Sequence, residues 1–192
     1  MKKEEKLQIT KDKLIDATFD LMEKSDDPLS VTTRQIAAKA DVRPAMVNYC
    51  FGSRENLIYN TFQKQYLSFL NNKEADSIIN SNMPPIDILK QLHYIVANIL
   101  INNHKFTKAI TPFVLFKRDL GQKQFSYKYV KQHYNGQKTD EECLLIAYEL
   151  STMMQLIICR KDDIKADYGI DLENPEVLKH YIDMRVDLLL SV

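Results

Sequence analysis

The stretch TTRQIAAKADVRPAMVNYCFGSRENL, residues 32–57, decides the fold of this chain. Thr32, followed three places later by Gln35, has the form of a capping box, and Val31 with Ile36 brackets it as a hydrophobic staple. A helix therefore opens at Thr32, with Ile36, Ala37 and Ala40 as a thin apolar face. It lasts barely two turns. Asp41 follows where the chain must turn sharply, and aspartate tolerates the left-handed conformation better than most residues. Pro44 suits a first helical position, which makes Arg43 the cap, and Val42 with Val47 forms a second staple. The next helix spans Pro44 to Phe51 and buries Val47 and Phe51, four apart, leaving Pro44, Ala45, Asn48 and Tyr49 exposed and Met46 and Cys50 at the margins. Gly52 ends it, and Ser53 caps a further helix beginning at Arg54.

Upstream, Thr10 to Lys24 sets Leu14, Ile15, Thr18, Leu21 and Met22 at helical spacing before Ser25-Asp26-Asp27-Pro28 stops the run. Lys2, Lys3 and Lys6 are expected in a frayed tail, with minor-groove contact as the alternative. Two short helices joined by a sharp turn, the second with a small and polar outer face, have the layout of a helix-turn-helix that enters a major groove. Between Val31 and Asn60, Arg34, Lys39, Arg43 and Arg54 face only Asp41 and Glu55, a weak excess that permits contact with a polyanion without demanding it.

The run from Ile36 to Leu57 resembles the signature of TetR-type (tetracycline-repressor-like) transcriptional regulators, and the resemblance extends back through the first helix to cover roughly residues 10–60. It implies an all-α protein. Residues 1–54 would form a three-helix DNA-binding module with the helix-turn-helix, and residues 55–192 a larger helical effector-binding and dimerisation domain. Carried over position by position, Arg43, Pro44, Ala45, Met46, Asn48 and Tyr49 would meet bases and flanking phosphates. Thr32 would cap the helix whose Thr33 and Arg34 face the duplex backbone, and Arg54 would be the basic residue opening the fourth helix. Three positions depart from the pattern: Asp41 replaces the turn glycine, Arg43 a small hydroxyl residue, and Asn48 a tyrosine, with Tyr49 one place on. Arg43 adds a phosphate or guanine contact and gives up side-chain capping. For Tyr49 the alternative is a half-buried ring covering Val42 or Phe51.

Composition agrees with a helical chain. Four glycines and no tryptophan in 192 residues argue against sandwiches, barrels and glycine-cradled nucleotide folds, which need tight turns or close backbone approach. The formal net charge of zero hides a gradient, since residues 161–192 carry four basic against eight acidic side chains and make the carboxyl-terminal end the acidic one. Cys50, Cys143 and Cys159 are odd in number and far apart, as expected in a reducing compartment, and residues 1–13 lack the apolar block of a secretory signal. A cytoplasmic protein is expected. The apolar run from Cys143 to Cys159 is short for a membrane span and contains Glu149, Ser151, Thr152 and Gln155, so no membrane partner is expected.

Further helices follow: to near Leu70, Ile86 to Asn102, Phe106 to Leu120 with a kink or restart at Pro112, Phe125 to Tyr134, Glu141 to Cys159 after the capping box Thr139-x-x-Glu142, and a last one from Asn174-Pro175. Tyr94, Phe113, Phe116, Tyr127, Tyr148 and Met153 are candidates for an effector pocket, with core packing as the alternative. The last two long helices are apolar on most faces, and the family dimerises through such a pair, so Leu144, Ala147, Met154, Ile158, Leu178, Ile182 and Leu189 are candidates for a homodimer interface. His93, His104, His133 and His180 lack close carboxylate or cysteine partners and are expected at surfaces or helix ends, so no catalytic site, metal or cofactor is expected. The expected function is a DNA-binding regulator, a repressor in the family's usual mode, that holds a palindromic double-stranded operator as a homodimer until an unknown small molecule releases it. A helical adaptor or a cysteine-based redox sensor is the alternative.

Overall fold

The structure, a computed structural model, describes residues 3–70, 73–120 and 124–191. Among these, eleven α-helices and one 3-10 turn are joined by short loops, with no strand. The chain divides into two compact units, one made of residues 1–68 and 108–118, the other of residues 69–107 and 119–192.

The first unit begins with α1, Lys3–Lys24. This helix is seven residues longer than the sequence spacing predicts, and it replaces the frayed tail expected at Lys3 and Lys6, while Lys2 lies outside the described residues. Lysine and glutamate are good helix formers, Glu4 and Glu5 favour the positive end of the helix dipole, and Gln8 reaches Asp12 at 3.2 Å one turn on. A 3-10 turn at Pro28–Ser30 leads into α2 (Thr33–Lys39), α3 (Ala45–Phe51) and α4 (Arg54–Leu70). α1 packs against both α2 and α3. Leu14, Met22, Ile36, Val47 and Leu57 are completely buried and form the core of this unit. Because Leu57 and Ile58 lie in that core, the compact unit continues well into α4.

The second unit contains α5 (Lys73–Ile79), α6 (Pro85–Asn102), α8 (Phe125–Tyr134), α9 (Asp140–Cys159), α10 (Lys161–Tyr168) and α11 (Pro175–Leu190). α7 (His104–Phe116) starts in this unit and ends in the first. It runs unbroken through Pro112, so the expected restart is absent. Burial of Phe106, Ile110 and Thr111 offsets the roughly 3 kcal/mol that an interior proline costs. α6 is the centre of the second unit and packs against α8, α9 and α11.

α5 and α10 are missing from the periodicity, being two turns each and largely polar. α10 begins where α9 ends, on the shared cap Arg160, and Gly169 at φ +70° stops it. α9 corrects a further expectation: at 20 residues it is long and apolar enough, by length and composition alone, to cross a membrane. Its packing explains much of that apolarity, since Cys143, Ala147, Leu150, Met154 and Ile158 form a stripe buried inside the unit.

His93 is the clearest departure from the sequence reading. It sits in the middle of α6, 1% exposed, with its ring 4.9 Å from that of Phe125. Nδ1 lies 2.9 Å from the Leu89 carbonyl, which only accepts, so Nδ1 carries the proton and Nε2 is buried with no partner among the described residues. Burial depresses its pKa to about 4, against the opposing effect of that backbone bond.

Candidate nucleic-acid interface

The turn between α2 and α3 sets the geometry of the site. Thr32 accepts from the Gln35 backbone at 3.3 Å while Gln35 accepts from the Thr32 backbone at 2.7 Å, so both halves of the capping box are made. α2 ends in a Schellman arrangement: Asp41 donates to Ala38 at 3.2 Å and Val42 to Ala37 at 3.0 Å. Asp41 takes the left-handed place at φ +53°. α3 runs Ala45–Phe51 with Pro44 before it, and the Pro44 dihedrals are already helical, as expected of a first helical position, its carbonyl accepting from Val47 at 3.1 Å.

α3 presents the faces that the sequence spacing predicts. Val47 is fully buried and Phe51 nearly so, while Pro44, Ala45 and Asn48 are exposed and the Tyr49 ring is 64% exposed. That exposure takes Tyr49 off the packed face on which Val47 and Phe51 lie. Met46 and Cys50 are half-buried. Arg34 and Arg43 are exposed and have no ion-pair partner among the described residues, whereas Lys39 is held by Asp20 of α1 at 2.5 Å. Two exposed guanidinium groups thus lie one on α2 and one in the turn before α3, and Thr33 is half-buried next to Arg34 in sequence.

Arg54 and Thr32 are more constrained than the resemblance implies. The Thr32 hydroxyl is engaged by Gln35 in both directions. Arg54 turns inward, donating from Nε to the Val31 carbonyl at 2.7 Å and from Nη2 to the Leu29 carbonyl at 2.6 Å. Asn56, which the sequence reading passed over, donates to the Phe51 carbonyl at 2.7 Å and receives its own cap from Ser53. Its signal was only its place one turn into a helix that follows a glycine.

The other candidate sets are dispersed or corrected. Phe113 and Phe116 lie in the first unit, where Phe113 packs 5.1 Å from the Tyr59 ring and Phe116 is 81% exposed. Tyr94, Tyr127, Tyr148 and Met153 belong to the second unit, all half-buried, and of the six only Tyr94 lines the cleft between α6 and α11. Of the dimer candidates, Ala147, Met154, Ile158, Leu178 and Ile182 are buried within the chain itself and have no surface to offer a partner. Leu144 and Leu189 are half-buried. The exposed apolar side chains of the two helices are Leu145 and Leu156 on α9 and Met184 and Leu188 on α11. The signal was present: the three-and-four spacing of Ala147, Leu150, Met154 and Ile158 already traces one stripe, and a second surface must lie off it.

Cys143 is buried, and Cys50 and Cys159 are half-buried. Burial pushes the thiols of Cys50 and Cys143 up, away from the thiolate that oxidation requires. His104 begins α7, with Nε2 3.1 Å from the Ile158 carbonyl and Nδ1 3.5 Å from Asp162.

No family model and no curated protein matches this sequence. Among the solved structures similar in fold is one described as a TetR-like transcriptional regulator from Rhodococcus sp. RHA1, at 16% identity and a TM-score of 0.45, over 95% of this chain and 92% of that one.

Proposed function

We propose that this chain is a TetR-type transcriptional regulator, a cytoplasmic repressor that holds a near-palindromic operator as a homodimer and releases it when a small molecule binds residues 55–192. The observation that carries the reading is the division of α3, with Val47 and Phe51 anchoring it while Ala45, Asn48 and Tyr49 face outward. Asn and Tyr side chains at the exposed positions can hydrogen-bond base edges and phosphates, and the small Ala45 allows close approach. Arg34 and Arg43 would supply phosphate contacts, as would the Thr33 hydroxyl, while Thr32 would serve by capping α2, which carries Thr33 and Arg34. Arg54 would serve mainly by holding the helix that carries them.

The homodimer would form through α9 and α11, using Leu145, Leu156, Met184 and Leu188, and would set two α3 helices about one helical turn of DNA or more apart. Effector binding would favour a separation that no longer matches the half-sites, a shift of population between two arrangements. Selection of random duplexes by the purified protein, at two salt concentrations and repeated with an N48A/Y49A variant, tests the reading. A recovered near-palindrome whose binding falls with salt and is lost in the variant is the expected result. Recovery of unspecific duplex by both proteins alike would overturn it.

A further inference from the structure

The second unit carries a cleft of about 500 Å³ bounded by α5, α6 and α11, which is within the usual range of roughly 300–1,000 Å³ for small-molecule sites. Its floor is apolar, because Ile78, Ile95 and Ile182 are all buried there. Tyr94 stands half-buried in one wall, and Gln91 donates to the Met83 sulfur at 3.3 Å across the lip.

The charges around this floor are unequal. Lys90 is neutralised by Asp187 at 2.6 Å, and Lys179 by Asp183 at 2.7 Å. Both ammonium groups of the cleft are therefore already engaged. Asp87 and Glu176 also line it, and among the described residues no hydrogen bond or ion pair reaches either carboxylate. Lys179 senses Glu176 electrostatically, but its ammonium is bonded to Asp183. Each of the two acids lies in the first turn of its helix, where the dipole favours it, so no cation is needed to keep it there. The result is an open cleft with an apolar floor, Tyr94 in one wall and, among the described residues, two unpartnered negative groups at its edge.

We infer that the cleft binds a bulky organic cation, an apolar or aromatic body carrying a quaternary ammonium or phosphonium charge. The isoleucine floor removes the body from water, Tyr94 adds aromatic surface to the wall, and Asp87 and Glu176 supply the opposite sign. An anion of the same shape meets two carboxylates and no available ammonium. A small inorganic cation gains nothing from the floor. The inference gives a chemical class to the effector of the regulator proposed above, and in that sense rests on it.

Calorimetric titration of the full chain without DNA tests it, using tetraphenylphosphonium and its anionic counterpart of the same shape, tetraphenylborate. Tetraphenylphosphonium is expected to bind once per chain, and tetraphenylborate about tenfold more weakly or not at all. The D87N/E176Q variant alters only half-buried or exposed groups and is expected to stay folded, its thermal midpoint falling by no more than the loss of two helix-dipole interactions, while weakening tetraphenylphosphonium about tenfold. Equal binding of the two probes, unchanged binding by the variant, or no binding up to about 1 mM overturns the inference. Because no DNA is present, such a failure leaves the regulator reading intact, and failure of the duplex selection leaves the ligand of the cleft intact.

Discussion

Arg54 Nε donates to the backbone carbonyl of Val31 at 2.7 Å, joining the first residue of α4 to the residue that precedes the cap of α2. Its Nη2 extends the grip to Leu29, and Asn56 holds the last carbonyl of α3. The first turn of α4 therefore grips one short helix at its start and the other at its end, so a displacement of that turn carries both.

Replacement of Arg54 separates its two possible roles. Arg54→Lys keeps the charge but cannot span two carbonyls, and it is expected to lower stability by about 1–2 kcal/mol, nearly as much as Arg54→Ala. Urea unfolding of the two variants measures this. A lysine variant as stable as the native protein would assign Arg54 to phosphate contact alone.

Asp41 holds a left-handed conformation that glycine adopts without strain. Asp41→Gly is expected to be neutral or to stabilise by up to about 1 kcal/mol, whereas Asp41→Val is expected to destabilise by about 1–2 kcal/mol, the β-branch being poorly tolerated at positive φ. Thermal unfolding of the pair checks the order. Gly52 (φ +77°) tests the same principle in the opposite sense, since any side chain there is strained even though nothing lies within 4 Å of an added Cβ.

His93 makes the fold sensitive to acid. Its folded pKa of about 4 lies below the 6.5 of the free side chain, so between these values the unfolded chain binds a proton that the folded chain refuses. Stability from this group is complete above about pH 6.5 and falls as the pH drops towards 4, by about 3 kcal/mol in all. Urea midpoints measured from pH 7 to pH 4 are expected to show this decline, and His93→Met, which removes the titrating group, is expected to flatten it. An unchanged slope in that variant would place the acid sensitivity elsewhere.

The exposed ridges of α9 and α11 predict the association state. Leu145→Glu combined with Leu188→Glu places charge where 62% of each leucine is exposed in the single chain, so a monomer that remains folded is expected in sedimentation experiments. Ala147→Glu buries an unpaired carboxylate and is expected instead to destabilise the chain by several kcal/mol. A dimer that survives the first change would move the interface away from this face.

Much of the candidate interface was legible because its signals are local. Thr32 and Gln35 cap each other within one turn, the left-handed turn falls on Asp41, and the four-residue spacing of Val47 and Phe51 assigns the outer face of α3 to Ala45, Asn48 and Tyr49. The same local rules placed Thr139 and Asn174 at the starts of α9 and α11. They missed α5 and α10 because a two-turn polar helix has too few apolar positions to display a period.

Residues whose role depends on distant parts of the chain were not legible. Arg54 is an exposed cation by position alone, and only the return of residues 29–31 beside it turns the guanidinium inward. His93 is a polar residue on a helix until α8 brings Phe125 against it. α9 and α11 each carry more apolar residues than one packed face requires, and composition cannot say which stripe meets α6 and α8 and which faces outward. Caps, turns and helix phase follow from interactions a few residues apart, and these the chain order of 192 amino acids settles by itself. The choice between two apolar stripes, the burial of a histidine and the inward turn of an arginine depend on groups brought together by packing, so only the tertiary structure decides them.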